Sequence, residues 1–542
     1  MPLVIVLHNH QIVDANFCDI IKENMKTKFR AYLLLFLIVI LGLFLRTWNI
    51  NDAPPGVYPD EAVNGIDAQT ANDTGEYQWF YPANNGREGL FMNLIALCFN
   101  IWGTSVLTLK LPSIICGTLT IWGTFLLAKE IFKKNRVGLM SAFLVATSFW
   151  AINFSRISFR ANMLPVILVF SFYFLFRGLR TRKTIDFALG GLIFGLGLHS
   201  YIAFRIAPLI LVATFVAILL TRRNFIKEYW KQIVTFIVFC TLSAAPMLYT
   251  FFIAHPESWE SRTGSVSVFN SEINDGHPIK AFLRSFGLSL AKYTFWGDQN
   301  WRHNYPPYPL LDPVSGVAFL FGFIYSLWRF LRLAYQRIFK KISSSRLEVY
   351  TFLISWFFIM LVPEFMTAEG NPHALRAIGT IPVVFIFSSL TFEFFIRKSE
   401  LYTPLFKKMV IFIITLMFIS IGLFNAIKYH YFWAKSQETA RSFDKNLMDV
   451  SIYLKTLPPS EEKFIVAESM QRIPIQLFNW NMPNTHYIYP GELKEINPMR
   501  DNFSIIMTDE NSEVLNYLID KFPDLKVEKI TNEFNLNFYV MK

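Results

Sequence analysis

Cysteine is scarce and scattered. Cys18, Cys98, Cys116 and Cys240 have no metal-ligand spacing, and none follows residue 240, so neither a disulfide framework nor a cysteine-based zinc site is implied. Charge is thin as well. Asp, Glu, Lys and Arg make up 17% of the 542 residues, against 53% hydrophobic and 17% aromatic, a balance that excludes an ordinary soluble enzyme and fits a polytopic membrane protein. The apolar segments carry few ionisable residues, which argues against a transporter coupled to ions near the bilayer midplane. There is no dense carboxylate cluster of the kind that holds the Mg²⁺ of a nucleotide-sugar. No cofactor is called for, and a divalent metal, zinc or calcium, stays open at the ionisable residues below.

What the chain has is a series of apolar runs. The first, at residues 31–45, has no small-residue cleavage site after it and reads as a span, not a removed signal. Further candidate spans fall at roughly 109–131, 136–154, 161–179, 184–202, 204–221, 230–253, 313–337, 347–366, 377–397 and 405–428. Residues 90–102 are apolar but short for a bilayer. If they do not cross, the basic stretches at 129–136, 177–183, 222–223, 329–346 and 397–408 all fall on the side of Lys26 and Arg30. The net charge of +11 then reports topology, and no nucleic acid partner is expected. The expectation is about eleven spans with the N-terminus cytoplasmic and an interfacial helix at 90–102. Residues 1–24 read as a cytoplasmic tail or a mis-assigned start, and 25–431 as the transmembrane domain. Residues 432–542 read as a small extracytoplasmic α/β domain, with strands at 464–467, 504–507 and 538–541 and a helix near 512–522.

This topology places five polar stretches outside: the loop 47–108, the loop holding Arg156 and Arg160, the turn around His199 and Arg205, the loop 254–312, and the turn 369–376. On them gather Asp60, Glu61, Glu88, Arg156, Arg160, Arg205, Asp298, Arg302, His303, His373 and Arg376. Carboxylates and cations mixed at the headgroup level suit a reaction between a phosphate-bearing lipid and an acceptor from outside. Plainer readings stand beside this one. Asp60-Glu61 by itself is a solvated turn or a helix cap, and Glu61 caps a helix starting near Ala62. Glu88 pairs with Arg87 or Lys110. Arg156 and Arg160 snorkel to headgroups. The stretch 297–306, dense in hydrogen-bonding side chains, lines a sugar or acceptor site or is a structural loop.

A first span followed by Asp60-Glu61, then Gly86-Arg87-Glu88-Gly89-Leu90, then Leu109-Lys110-Leu111-Pro112-Ser113, and later Asn371-Pro372-His373-Ala374-Leu375-Arg376, resembles the GT-C glycosyltransferases. The likeness covers residues 31–430 and is nearest to bacterial relatives of the protein O-mannosyltransferases and of the lipid A aminoarabinose transferase. It implies an all-α, GT-C-like membrane domain and inverting transfer of a sugar from a polyprenyl-phosphate carrier to a lipid, glycan or protein acceptor. Asp60 would be the general base. The leaving phosphate needs no general acid, unlike a glycosidase leaving group; Arg376 and His373, then Arg205, Arg160 and Arg156, would stabilise it. Glu88 matches an acidic family position that shapes the site or holds a metal. Relatives often carry a second aspartate after the Ser-Arg pair, whereas here Ser155-Arg156 leads to Arg160-Ala161-Asn162 with no acid. A flippase or transporter of lipid-linked sugars is the alternative, and a membrane-anchored binding protein using residues 432–542 is a third reading.

Overall fold

The computed structural model describes residues 28–82, 86–256, 267–270, 274, 276–367 and 370–542. The expected tail at 1–24, Cys18 and part of the loop 254–312 lie outside the described residues.

Among the described residues nine helices are long and apolar enough to cross a bilayer, from Lys28–Thr47 to Pro404–Trp433, as a multi-pass membrane protein requires. Two further helices, Asn135–Thr147 and Phe149–Ser155, meet at a 60° bend within 136–154, where the sequence suggested a single span. The expected span at 184–202 is shorter than these nine. There the α-helix Thr184–Gly195 continues as a 3₁₀ turn, Leu196–His199, and the segment links Arg182, paired with Glu228, to His199, which packs on Trp79. Residues 90–102 form the 13-residue helix Leu90–Trp102.

The spans start where the sequence supplies caps. Asp312 accepts the Ser315 amide at 2.9 Å ahead of Pro313, and Thr403 accepts that of Phe406 at 3.3 Å ahead of Pro404; each pairs a side-chain acceptor with a proline already set for the first helical turn. Small residues set the closest helix approaches. A Cβ on Gly322 would meet the Phe387 carbonyl oxygen at 1.8 Å, so Pro313–Phe339 and Ile381–Ser399 pack at a distance only glycine permits.

In the first loop β1 (Phe80–Tyr81) and β2 (Arg87–Glu88) pair antiparallel, and beyond the last span a five-stranded sheet forms in the order β4-β3-β5-β7-β6, from β3 (Glu462–Val466), β4 (Thr485–Ile488), β5 (Phe503–Met507), β6 (Val527–Thr531) and β7 (Asn537–Met541). β3 is parallel to β4 and β5, while β7 runs antiparallel to β5 and β6. Alternate residues pack on opposite faces: Phe464, Ile505 and Tyr539 on one, Ile465, Ile506 and Val540 on the other against Leu447, Val450 and Leu454. Burial on both faces is what the continuous apolar runs of β3, β5 and β7 encode. β4 and β6 are additional to the three strands read from the sequence. β6, Val-Glu-Lys-Ile-Thr, is a largely exposed edge strand with no apolar run to announce it.

Candidate functional site

The helix Pro59–Thr74 opens after an extended Tyr58, with Pro59 in its first turn and Asp60 and Glu61 beside its N-terminal dipole. Gly56 ahead of it has φ +124°, and a Cβ there would meet the Phe443 carbonyl oxygen at 2.3 Å, so this loop closes against the chain leading into the sheet region. Adjacent residues on a helix point about 100° apart, and the two carboxylates separate accordingly. Asp60 lines a cavity of about 240 Å³ together with Tyr58, Arg87, Arg160, Arg302, His303 and His373, among others. Glu61 turns inward, fully buried. Its Oε2 accepts the Ser158 amide at 2.8 Å and lies 4.0 Å from Lys110 Nζ. It therefore ties two segments together and does not cap its own helix, which starts at Pro59 and has no side-chain cap. Burial pushes the Glu61 carboxyl above the usual carboxylate range, with Lys110 and the Ser158 amide pulling it back.

The second wall is the turn after the Ser345–Phe365 helix. His373 N–H donates to Glu364 Oε1 at 3.0 Å, and Ala374 N–H donates to Asp298 Oδ2 at 2.7 Å. Trp150 Nε1 reaches the Ala374 carbonyl at 3.3 Å and Trp356 Nε1 that of Gly379 at 2.8 Å. Glu364 is itself fully buried and ion-paired with Lys292, also fully buried, whose ammonium burial pushes below its ordinary range. His373 and Asn300 border both the first cavity and a second of about 340 Å³ that also takes in Asp298, Asn371 and Arg376. Burial first, then the neighbouring His303 and Arg376, holds the His373 imidazole well below its usual range, so it is neutral at pH 7.

The expected residues divide by place. Asp60, Arg160, Arg302, His303 and His373 share the first cavity, and Asp298 and Arg376 line the second. Arg302 lies 4.8 Å over the Tyr58 ring, and Arg160 donates from Nε to Glu88 Oε2 at 2.7 Å. Glu88 therefore pairs with Arg160, not with Arg87 or Lys110, and stands behind the cavity wall. Arg87 instead bonds Asp67 and, at 2.7 Å, Asn64 Oδ1. Arg156 neither snorkels nor lines either cavity. Fully buried, it donates to the backbone carbonyls of Leu45, Asn49 and Ala53. Arg205 sits 4.5 Å over the Phe251 ring and lines neither cavity.

Sequence reasoning passed over Tyr58, Asn64, Arg87 and Tyr201, which line the first cavity, and the Lys292–Glu364 pair. Glu364 carried a signal: an acid inside an apolar helix is functional or paired.

One oxygen of Asp298 and one ring nitrogen each of His303 and His373 lie within 4.8 Å of one another. His303 Nδ1 donates to Asp298 Oδ2 at 3.0 Å, which leaves Nε2 as its ligating nitrogen. Two imidazoles and a carboxylate suit zinc better than calcium, which prefers oxygen alone.

Residues 90–249 match the family model described as dolichyl-phosphate-mannose-protein mannosyltransferase, a stretch that includes Arg156, Arg160 and Arg205 but neither Asp60 nor the turn at His373. The chain is similar over most of its length to ArnT from Cupriavidus metallidurans bound to undecaprenyl phosphate, with 11% identity, a TM-score of 0.54, and coverage of 94% of this chain and 97% of that one. The apo state of the same protein gives 11% identity and a TM-score of 0.51, covering 95% and 98%. No curated protein matches the chain by sequence.

Proposed function

We propose that the protein is an inverting glycosyltransferase that moves a sugar from a polyprenyl-phosphate carrier to an acceptor hydroxyl on the outer face of the membrane. The carrying observation is the composition of the first cavity, where Asp60 is the one carboxylate among the lining residues and Arg87, Arg160, Arg302 and two histidines surround it. A glycosyl phosphate demands this balance. The acceptor oxygen bonds to the anomeric carbon from the face opposite the phosphate, and its proton passes to Asp60. The bond from the anomeric carbon to the phosphate oxygen breaks, its electron pair leaving as polyprenyl phosphate. The growing charge needs cations and no acid, and guanidinium groups match phosphate oxygens two at a time. Arg302, Arg160 and Arg376 would carry that role, with the neutral His373 as a hydrogen-bonding neighbour. The GT-C fold and its similarity to a structure binding undecaprenyl phosphate support a lipid-phosphate donor. The basic runs facing the opposite side support the outer location.

The test is transfer from synthetic polyprenyl-phosphate sugars to added acceptors by the purified protein in lipid discs. Wild-type protein is expected to release polyprenyl phosphate, and Asp60→Asn to bind donor but lose turnover by on the order of 10²-fold or more. Full turnover in Asp60→Asn refutes the base, and donor movement across the bilayer without bond cleavage would make the protein a flippase.

A further inference from the structure

The Val106–Phe132 helix carries Lys110 near Glu61 at one end and reaches, about 30 Å away, a second polar region at Ile131 and Phe132. There a cavity of about 480 Å³ opens between five helices. Its lining includes Lys134, Arg329, Arg346, Arg397 and Lys398 against only two acids, Glu393 and Glu400.

The two acids are already engaged. Glu393 pairs with Lys134 and, at 3.4 Å, with Arg136; Glu400 pairs with Arg136 at 3.1 Å and Lys407 at 3.4 Å. Among the described residues, no carboxylate forms an ion pair with Arg329, Arg346, Arg397 or Lys398. Arg329 is the telling one. Its Nε is buried without a hydrogen-bond partner, and its guanidinium lies 5.6 Å over the Tyr350 ring. A buried donor left unmade costs about 1–3 kcal/mol, and Arg329 stands in the cavity wall, so an acceptor brought to this wall would be favoured. The remaining wall is apolar and aromatic, from Phe132, Leu390, Phe394 and Leu401. Phe394 and Leu401 are exposed at 42% and 76%, which opens the cavity to lipid chains at the bundle surface.

We infer that this cavity binds a phosphate group carried on a lipid, the headgroup of an anionic phospholipid, distinct from the site that holds the sugar donor. Four uncompensated cations fit one or two phosphate charges, arginines at the wall offer paired N–H donors to phosphate oxygens, and the apolar rim accommodates the acyl chains. Basic pockets between membrane helices are suited to such headgroups.

The experiment uses the full chain in a zwitterionic detergent, with thermal unfolding followed while phosphatidylglycerol, phosphatidylcholine or inorganic phosphate is added. Phosphatidylglycerol is expected to raise the unfolding temperature by several degrees, saturably, and the other two to leave it within a degree. Arg329→Gln should weaken that protection at least tenfold in half-saturating lipid. Arg346→Gln/Lys398→Gln, which alters only exposed side chains, should do the same if loss of Arg329 perturbs folding. Equal protection by phosphatidylcholine, or protection by inorganic phosphate matching that of phosphatidylglycerol, overturns the inference, as does undiminished protection in both variants.

Discussion

Glu61 accepts a hydrogen bond of 2.8 Å from the backbone amide of Ser158, while Asp60, its immediate neighbour, faces the cavity. One carboxylate of the pair is structural and one faces the cavity. Glu61→Gln keeps an oxygen for the Ser158 amide but leaves Lys110 without its nearest charge. It is expected to cost roughly 2 kcal/mol of stability and to change turnover of the folded enzyme less than threefold. Asp60→Asn should do the reverse. Thermal unfolding and transfer rates of the two variants side by side decide this; a Glu61→Gln protein with wild-type stability and abolished transfer would reverse the assignment.

Arg156 satisfies three backbone carbonyls at the end of the first span. In Arg156→Lys an ammonium cannot span all three, so buried acceptors are left unmade, at about 1–3 kcal/mol each. The expected outcome is a lower unfolding temperature with donor KM unchanged. A raised KM at unaltered stability would return Arg156 to phosphate binding.

Lys292 and Glu364 form a fully buried ion pair that also anchors the His373 amide. Glu364→Gln or Lys292→Met alone strands one buried charge and is expected to destabilise by about 3–5 kcal/mol. The double variant should be more stable than the sum of the two by more than about 1 kcal/mol. Additive losses in a double-mutant cycle would show that the pair is not coupled.

Asp444 has its carboxyl raised to about 6, chiefly by burial, with Arg302 opposing and Asp509 adding to the shift. Its unfolded value is about 3.9. Between the two the folded state holds the extra proton, so this group's contribution to stability falls as pH rises from about 4 through 6 and stays low above. Asp444 also has φ +49°, which asparagine tolerates well. Asp444→Asn is therefore expected to exceed wild type in stability above pH 6, by on the order of 1–2 kcal/mol, with the advantage vanishing near pH 4. Unfolding temperatures measured from pH 4.5 to 7.5 test it, and a constant offset across that range would attribute the gain to backbone conformation alone.

Apolar run length, charge asymmetry and β-patterned segments are local properties, and from them the sequence by itself determined a multi-pass helical protein with a sheet after the last span. They also singled out most of the ionisable residues that line the two cavities. The 60° bend between Asn135–Thr147 and Phe149–Ser155 was not legible, because composition reports hydropathy and not helix continuity. Which charges face a cavity was beyond any local signal. Arg156 and Arg160, four residues apart, read alike in sequence, yet one is consumed by backbone carbonyls and the other faces Asp60's cavity. That choice rests on partners about 70 to 110 residues away, Glu88 for Arg160 and Leu45 to Ala53 for Arg156. Only the packed tertiary structure brings those partners within hydrogen-bond reach, and a buried charge goes where its hydrogen bonds can be made.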